Sequence, residues 1–235
     1  MTSQHLPGEC NRCHAHLSRS AVGPHLRGCP RAKGHVPGFV VGIEALDNPL
    51  YWLVLGVGKN AQLADIDRFL RDTWLECCGH MSSFRTSDTS YDAAPELDLG
   101  PVDDVLPTSR SLKTPVAVAL PLGSRADYVY DEGSPTELVI HVGRTRPLLG
   151  GARGVRLLAF NLPPRHHCHR CIRPAEVVCT WCTDEQRFLC GRHAGAHACG
   201  AEGFLPVVNS PRVGVCGFAG PPGRKPRWTR GSSGA

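Results

Sequence analysis

The sequence predicts an α+β fold: a central mixed sheet with one main amphipathic helix, flanked by two small zinc-stabilised modules. Three observations point there. Apolar and β-branched runs recur between residues 37 and 162, one stretch among them has helical periodicity, and most of the twelve cysteines and twelve histidines lie outside that segment. At 235 residues the chain has room for one medium core with small satellites. Its 26 glycines and 20 prolines imply many turns, so only one mid-sized segment can be densely packed.

The first module, residues 1–36, is organised by "CNRCHAHLSRSAVGPHLRGC". Cys10 and Cys13 form a Cys-x2-Cys knuckle, and eleven residues later His25 and Cys29 stand four apart, a spacing that sends both side chains to one side of a helix. Four soft N/S donors in this pattern suit zinc. About 30 residues cannot bury enough apolar surface to fold alone, so the metal is expected to act as their core. His14 and His16 sit too close to the knuckle to wrap a loop around the ion.

The core, residues 37–162, begins with a continuous apolar run from Tyr51 to Val57 that reads as a buried strand. A helix follows. Leu63, Ile66, Leu70 and Trp74 recur at threes and fours with Cys77 continuing the stripe, while Asp65, Asp67, Arg68, Arg71 and Asp72 are expected to face solvent. Gly79 occupies the position of a helix-ending residue. Residues 86–112 are polar, acidic and proline-containing, and read as a loop. "TPVAVALPL", "ADYVYDEGSPTELVIHV" and "VRLLAFNL" read as further strands, the second folded at a Gly-Ser-Pro turn.

The segment "ECCGH" has two readings. Cys77, Cys78 and His80 could hold a metal or set a nucleophile beside a base. The position of Cys77 on the apolar stripe favours packing, because buried cysteine behaves as a small hydrophobe.

Residues 48–142 resemble the plasmid ORF-3-like family, named for a root-inducing-plasmid reading frame and shared with passenger proteins of an insertion element. The resemblance is carried by "YWLVLGV", the helix ending at Trp74, His80 before Phe84, and the Tyr130-Asp131-x-Gly133 turn into a strand. The family commonly has an aromatic between that Asp and Gly and a Trp soon after; this chain has Glu132 and then "SPTEL". The N-terminal finger and the "LPVVNSPRVGVCG" stretch behind a cysteine cluster are similar to a zinc-bearing prokaryotic subgroup of unknown function. The resemblance implies the α+β core. Through the mobile-element association it also implies an alternative function, a DNA-acting enzyme or accessory factor with a site around His80, Asp131 and Glu132.

The second module, residues 163–204, contains "CHRCIRPAEVVCTWCTDEQRFLCGRHAGAHAC". Cys168, Cys171, Cys179, Cys182, Cys190, His193, His197 and Cys199 are eight ligands for two tetrahedral sites. Joining the first four would leave a loop of seven residues, well short of the about 15–20 usual between knuckles. Interleaving removes the problem. Cys168 and Cys171 then meet Cys190 and His193 across eighteen residues, while Cys179 and Cys182 meet His197 and Cys199 across fourteen. The pattern resembles the cross-brace of B-box, MYND and related treble-clef modules, which usually bind proteins. His166, His167 and His169 read as solvated or ligand-orienting groups. An apolar return segment, 205–219, carries Cys216 as a structural thiol, and residues 220–235 form a basic tail with Trp228 that cannot build a core.

No apolar run opens the sequence, so neither a secretory signal nor a membrane span is expected and the predicted compartment is cytoplasmic. Paired thiols there favour metal over disulfides. Net charge is +4 over residues 1–36, −5 over 37–162 and +6 over 163–235, which permits nucleic-acid contact through the ends. Closed four-ligand sites are structural, and no Walker loop, His-Glu-x-x-His or Gly-x-Ser-x-Gly occurs. The expectation is a non-enzymatic adaptor holding about three zinc ions and recognising protein or nucleic acid, with no small-molecule substrate identified and no catalytic residue assigned.

Overall fold

The computed structural model describes residues 7–31, 36–93, 109–143, 148–149, 154–182 and 187–221. Most of the expected acidic loop and nearly all of the basic tail lie outside the described residues. Two compact units are present: Met1–Phe69 with His80–Asn161, and Leu70–Gly79 with Leu162–Ala235.

In the first unit the runs of β-branched and aromatic residues pair into one large sheet. Its strands are β1 (Gly8–Cys10), β2 (His16–Leu17), β3 (Val36–Ala45), β4 (Trp52–Gly58), β5 (Ser82–Arg85), β6 (Ser90–Asp92), β7 (Arg110–Ser111), β8 (Arg125–Tyr130), β9 (Thr136–Val142), β10 (Leu148–Leu149) and β11 (Val155–Asn161). Their order is β2-β1-β11-β4-β3-β9-β8-β5-β6-β7, with β10 on β3. The β6–β7 pair is parallel and the others are antiparallel, so the sheet is mixed. It is larger than a core confined to residues 37–162, because β1 of the finger pairs with β11.

Every residue of β4 is buried, as its unbroken apolar run requires of a central strand. The N-terminal finger is built onto this strand rather than hung from it. Trp52 is fully buried with Val22, Val54, Leu158 and Ala159 in one cluster. A Cβ at Gly8 would stand 2.2 Å from the Trp52 ring, so only glycine lets the indole lie against β1. The Arg19 guanidinium sits 4.8 Å from the ring centroid. The Trp52 backbone N–H donates to Asn161 Oδ1 at 2.9 Å, tying β4 to the end of β11.

The α-helices are α1 (Val22–Gly28), α2 (Leu63–Leu70) and α3 (Val116–Ala119), and a 3-10 turn at Arg19–Ala21 leads into α1. Two expectations need correction here. "TPVAVALPL" contains α3 instead of a strand: Pro115 precedes it with φ −59°, and Val118, Ala119 and Leu120 N–H groups close onto Pro115 and Val116 carbonyls. Five residues between Pro115 and Pro121 leave little room for a strand that pairs on both sides. Asp67 does not face solvent. It is buried and accepts hydrogen bonds from Ser82 Oγ at 2.6 Å and Tyr128 Oη at 2.8 Å, so hydroxyls of β5 and β8 satisfy a carboxylate that periodicity alone places outside.

The helical path continues from α2 into one wide π-type turn, Arg71–Leu75, and stops there, with Glu76 extended at φ −67°, ψ 121°. Gly79 is therefore not the residue that ends the helix, and Cys77 is off its apolar stripe and only half-buried. The Glu76 side chain accepts from Arg71 at 2.9 Å and from the Gly79 N–H, holding a compact turn.

The second unit contains a small antiparallel sheet, β12 (Val177–Cys179), β13 (Phe188–Leu189) and β14 (Phe204–Pro206), in the order β13-β12-β14, and α4 (Gly191–Ala194). Cys168, Leu189 and Cys190 form a cluster with Val177 and Phe204 alongside, and Trp74, Leu75, Val178, Val208, Val213 and Phe218 of the same unit are buried as well. The return segment belongs here, with Ser210 Oγ donating to the Trp74 carbonyl at 2.7 Å and Arg212 completely buried.

Candidate metal centres

All twelve cysteines are free thiols, and they gather with histidines into four groups whose ligand atoms lie within 4.8 Å of one another. Three are the groups expected from spacing: Cys10, Cys13, His25 and Cys29; Cys168, Cys171, Cys190 and His193; Cys179, Cys182, His197 and Cys199. The second and third establish interleaving, since ligands 168 and 171 pass over 179 and 182 to reach 190 and 193.

In the finger, β1 delivers Cys10, the following turn Cys13, and α1 presents His25 with Cys29 just beyond its end. Cys10 Sγ is 3.9 Å from Cys29 Sγ, and Cys13 Sγ is 3.3 Å from His25 Nε2. His14, next to the knuckle, takes the left-handed conformation at φ 63°, and its Nδ1 meets Glu9 Oε1 at 2.8 Å, which engages the ring away from the ligand set. In the second unit, Cys171 Sγ to Cys190 Sγ is 3.8 Å and Cys168 Sγ to His193 Nδ1 is 3.2 Å. In the third group Cys182 Sγ lies 3.7 Å from Cys199 Sγ and 3.3 Å from His197 Nε2. A tetrahedron with metal–sulfur bonds of about 2.3 Å has sulfur–sulfur edges of about 3.8 Å, whereas a disulfide would hold the sulfurs about 2.05 Å apart. The three sulfur–sulfur distances match the tetrahedral edge.

Electrostatics points the same way. Burial raises the Cys168 thiol, but hydrogen bonds from the backbone of Cys190 and Arg170 and from His193 more than offset it and bring it to about 6. Cys182 is pushed up to about 11 by burial and by the neighbouring Cys199 and Cys179 thiols. Crowded thiols cannot all ionise without a cation among them, and a divalent ion supplies that charge.

The fourth group consists of Cys77, Cys78, His80 and Cys216. Spacing alone gives three centres, because Cys216 lies 138 residues beyond Cys78 and no local pattern links them. The signal that was present is the "ECCGH" cluster itself. Cys78 and Cys216 are exposed, and the Cys78 thiol is pushed up to about 11, first by its hydrogen bond with Cys77 and then by burial. His80 Nδ1 stands 3.5 Å from Asp131 Oδ1. Asp131 is buried and left-handed at φ 67°, and its carboxylate also accepts from the Gly133 and Ser134 N–H groups at 3.1 and 3.2 Å. The Tyr-Asp-x-Gly sequence thus encodes an Asp-stabilised turn between β8 and β9. Glu132, at the tip, pairs with Arg85.

His166 is half-buried rather than freely solvated. It stacks on Phe188 with centroids 4.2 Å apart and planes 7° from parallel, and burial lowers its pKa from the ordinary value. With Arg165, His167, His169 and Phe188 it lines a basic cleft of about 400 Å³.

No family model and no curated protein matches the chain. Among solved structures, a protein of unknown function from Methanosarcina mazei Go1 is similar over 54% of this chain and 70% of its own, at 15% identity and a TM-score of 0.44. Among the described residues, no helix is long and apolar enough to cross a membrane.

Proposed function

We propose that this protein is a zinc-stabilised, non-enzymatic adaptor whose C-terminal cross-brace docks a protein partner. The observation that carries this reading is the set of three four-ligand groups, each with three thiols and one imidazole converging at tetrahedral spacing. Soft N/S donors in closed sets of four select zinc and leave no position for a reacting water. Such a site supports structure and not hydrolysis.

Docking is supported by what the knuckles display. Ile172, directly after Cys171, is 91% exposed, and Trp181, inside the Cys179–Cys182 knuckle, is 60% exposed. Large apolar side chains held in water on rigid turns are costly for a monomer and suit a partner's surface. Membership of the core in the plasmid ORF-3-like family is part of the same proposal, supported by the strand–helix order and by the structural use of Asp131 and Gly133. The alternative of a DNA-acting enzyme at His80 and Asp131 has weaker support, because it rests on the 3.5 Å contact of that one pair.

Elemental analysis of protein purified without added metal tests the first half: zinc in at least three equivalents supports it, and iron or no metal overturns it. For the second half, an Ile172→Asp/Trp181→Ala variant that keeps its zinc should lose the partner captured by the wild type. Salt-sensitive retention of DNA or RNA on filters, unaffected by that variant, would overturn protein docking in favour of nucleic acid.

A further inference from the structure

We propose that Cys77, Cys78 and Cys216 form a fourth metal site, exposed and exchangeable, distinct from the three closed ones. The inference goes beyond the adaptor reading but rests on its premise that these thiols meet a divalent soft metal. All three cysteines belong to the second unit.

The backbone is shaped for convergence. Cys216 is one of three non-glycine residues with positive φ among those described, at 46°, and it lies between Gly214 at 77° and Gly217 at 71°. A left-handed cysteine is strained, and such strain persists where the surroundings demand it. Gly79 also has positive φ, 76°, with open space where a Cβ would be, so its role is to turn the chain between Cys78 and His80 and not to relieve a clash. Cys78 Sγ comes within 4.0 Å of the Cys216 carbonyl.

A charged neighbour fits a metal and not a packed thiol cluster. The completely buried Arg212 donates from Nη2 to Cys77 Sγ at 3.5 Å. A buried guanidinium needs anionic partners, and a thiolate serves better than a thiol. Three thiolates around a divalent ion leave one negative charge, which Arg212 offsets.

Exposure sets the behaviour. Each closed group has at least one buried cysteine, whereas this group has none. Its ion is reachable by solvent, competing thiols and chelators, so it exchanges first.

Zinc content and thiol reactivity of the full chain, purified anaerobically and saturated with zinc, decide the matter. Four equivalents are expected in the wild type and three in Cys78→Ser/Cys216→Ser, with unchanged far-UV circular dichroism. A zinc chelator with a colorimetric readout should release one equivalent at least tenfold faster than the rest, and that phase should vanish in the variant. Pulsed alkylation of the unmodified wild type avoids reliance on a folded variant: Cys78 and Cys216 should be protected until the fast zinc leaves. Three equivalents with immediate alkylation of Cys78 and Cys216, or a disulfide joining them, overturns the fourth site while leaving the closed sites standing. An absence of bound zinc altogether overturns both.

Discussion

Asp67 shows what a single residue contributes and why it was hard to read. Helical periodicity assigns it to the wet face, yet two hydroxyls from strands 15 and 61 residues away bring it inside. No local pattern encodes partners at that distance, whereas Leu63, Ile66, Leu70 and Trp74 were legible because apolar burial needs no particular partner. Tyr128→Phe removes one of those donors and leaves the buried carboxylate partly satisfied. A loss of about 1–2 kcal/mol is expected in urea unfolding of the zinc-loaded protein. The metal ligands were the most legible residues of all, since Cys-x2-Cys spacing is a geometric statement about one turn. Replacing a single ligand, as in His193→Ala, should release one zinc equivalent, seen by native mass spectrometry.

At the scale of elements, the finger and the cross-brace behave differently despite their similar ligands. The finger is stitched to the sheet by β1 and by Trp52, so it has an apolar anchorage as well as a candidate metal-ligand set. Gly8→Val would drive a side chain into the indole and the Phe160 carbonyl, with an expected cost of about 1–3 kcal/mol in thermal or denaturant unfolding. The cross-brace has three short strands and a four-residue helix around a minimal cluster. Each of its candidate ligand sets is bracketed by a ligand pair of the other, so Cys168→Ser should weaken both sites. Chelator titration should then show the Cys179 site losing affinity although all four of its ligands remain. The interleaving was legible from loop lengths. The α3 helix was not, because a run of alanine and valine between prolines has the composition of a strand and only its hydrogen bonds distinguish the two.

For the whole molecule, the prevailing prediction is a dependence on metal and proton concentration. Thiolate ligands must be deprotonated, so acidification competes with zinc and affinity falls as pH falls. Unfolding of the second unit, followed by Trp181 fluorescence, should coincide with zinc release in an acid titration, while the sheet of the first unit, with its extensive buried strands, should persist to lower pH. The broad α+β class was readable from the chain; the reach of the sheet into the finger was not, since pairing of residues 8–10 with 159–161 joins positions 149 to 153 residues apart.

The segment 70–79 belongs to the same unit as residues from 162 onward, although the 82 residues from His80 to Asn161 are synthesised between them. During translation, therefore, Trp74 and the adjacent thiols Cys77 and Cys78 emerge long before Ser210, Arg212 and Cys216 exist to receive them. The nascent chain carries an unsheltered indole and a vicinal dithiol for several seconds at ordinary elongation rates of about 5–20 residues per second. Maturation of this protein is thus open to oxidants and to holdase chaperones in an interval that the finished fold conceals.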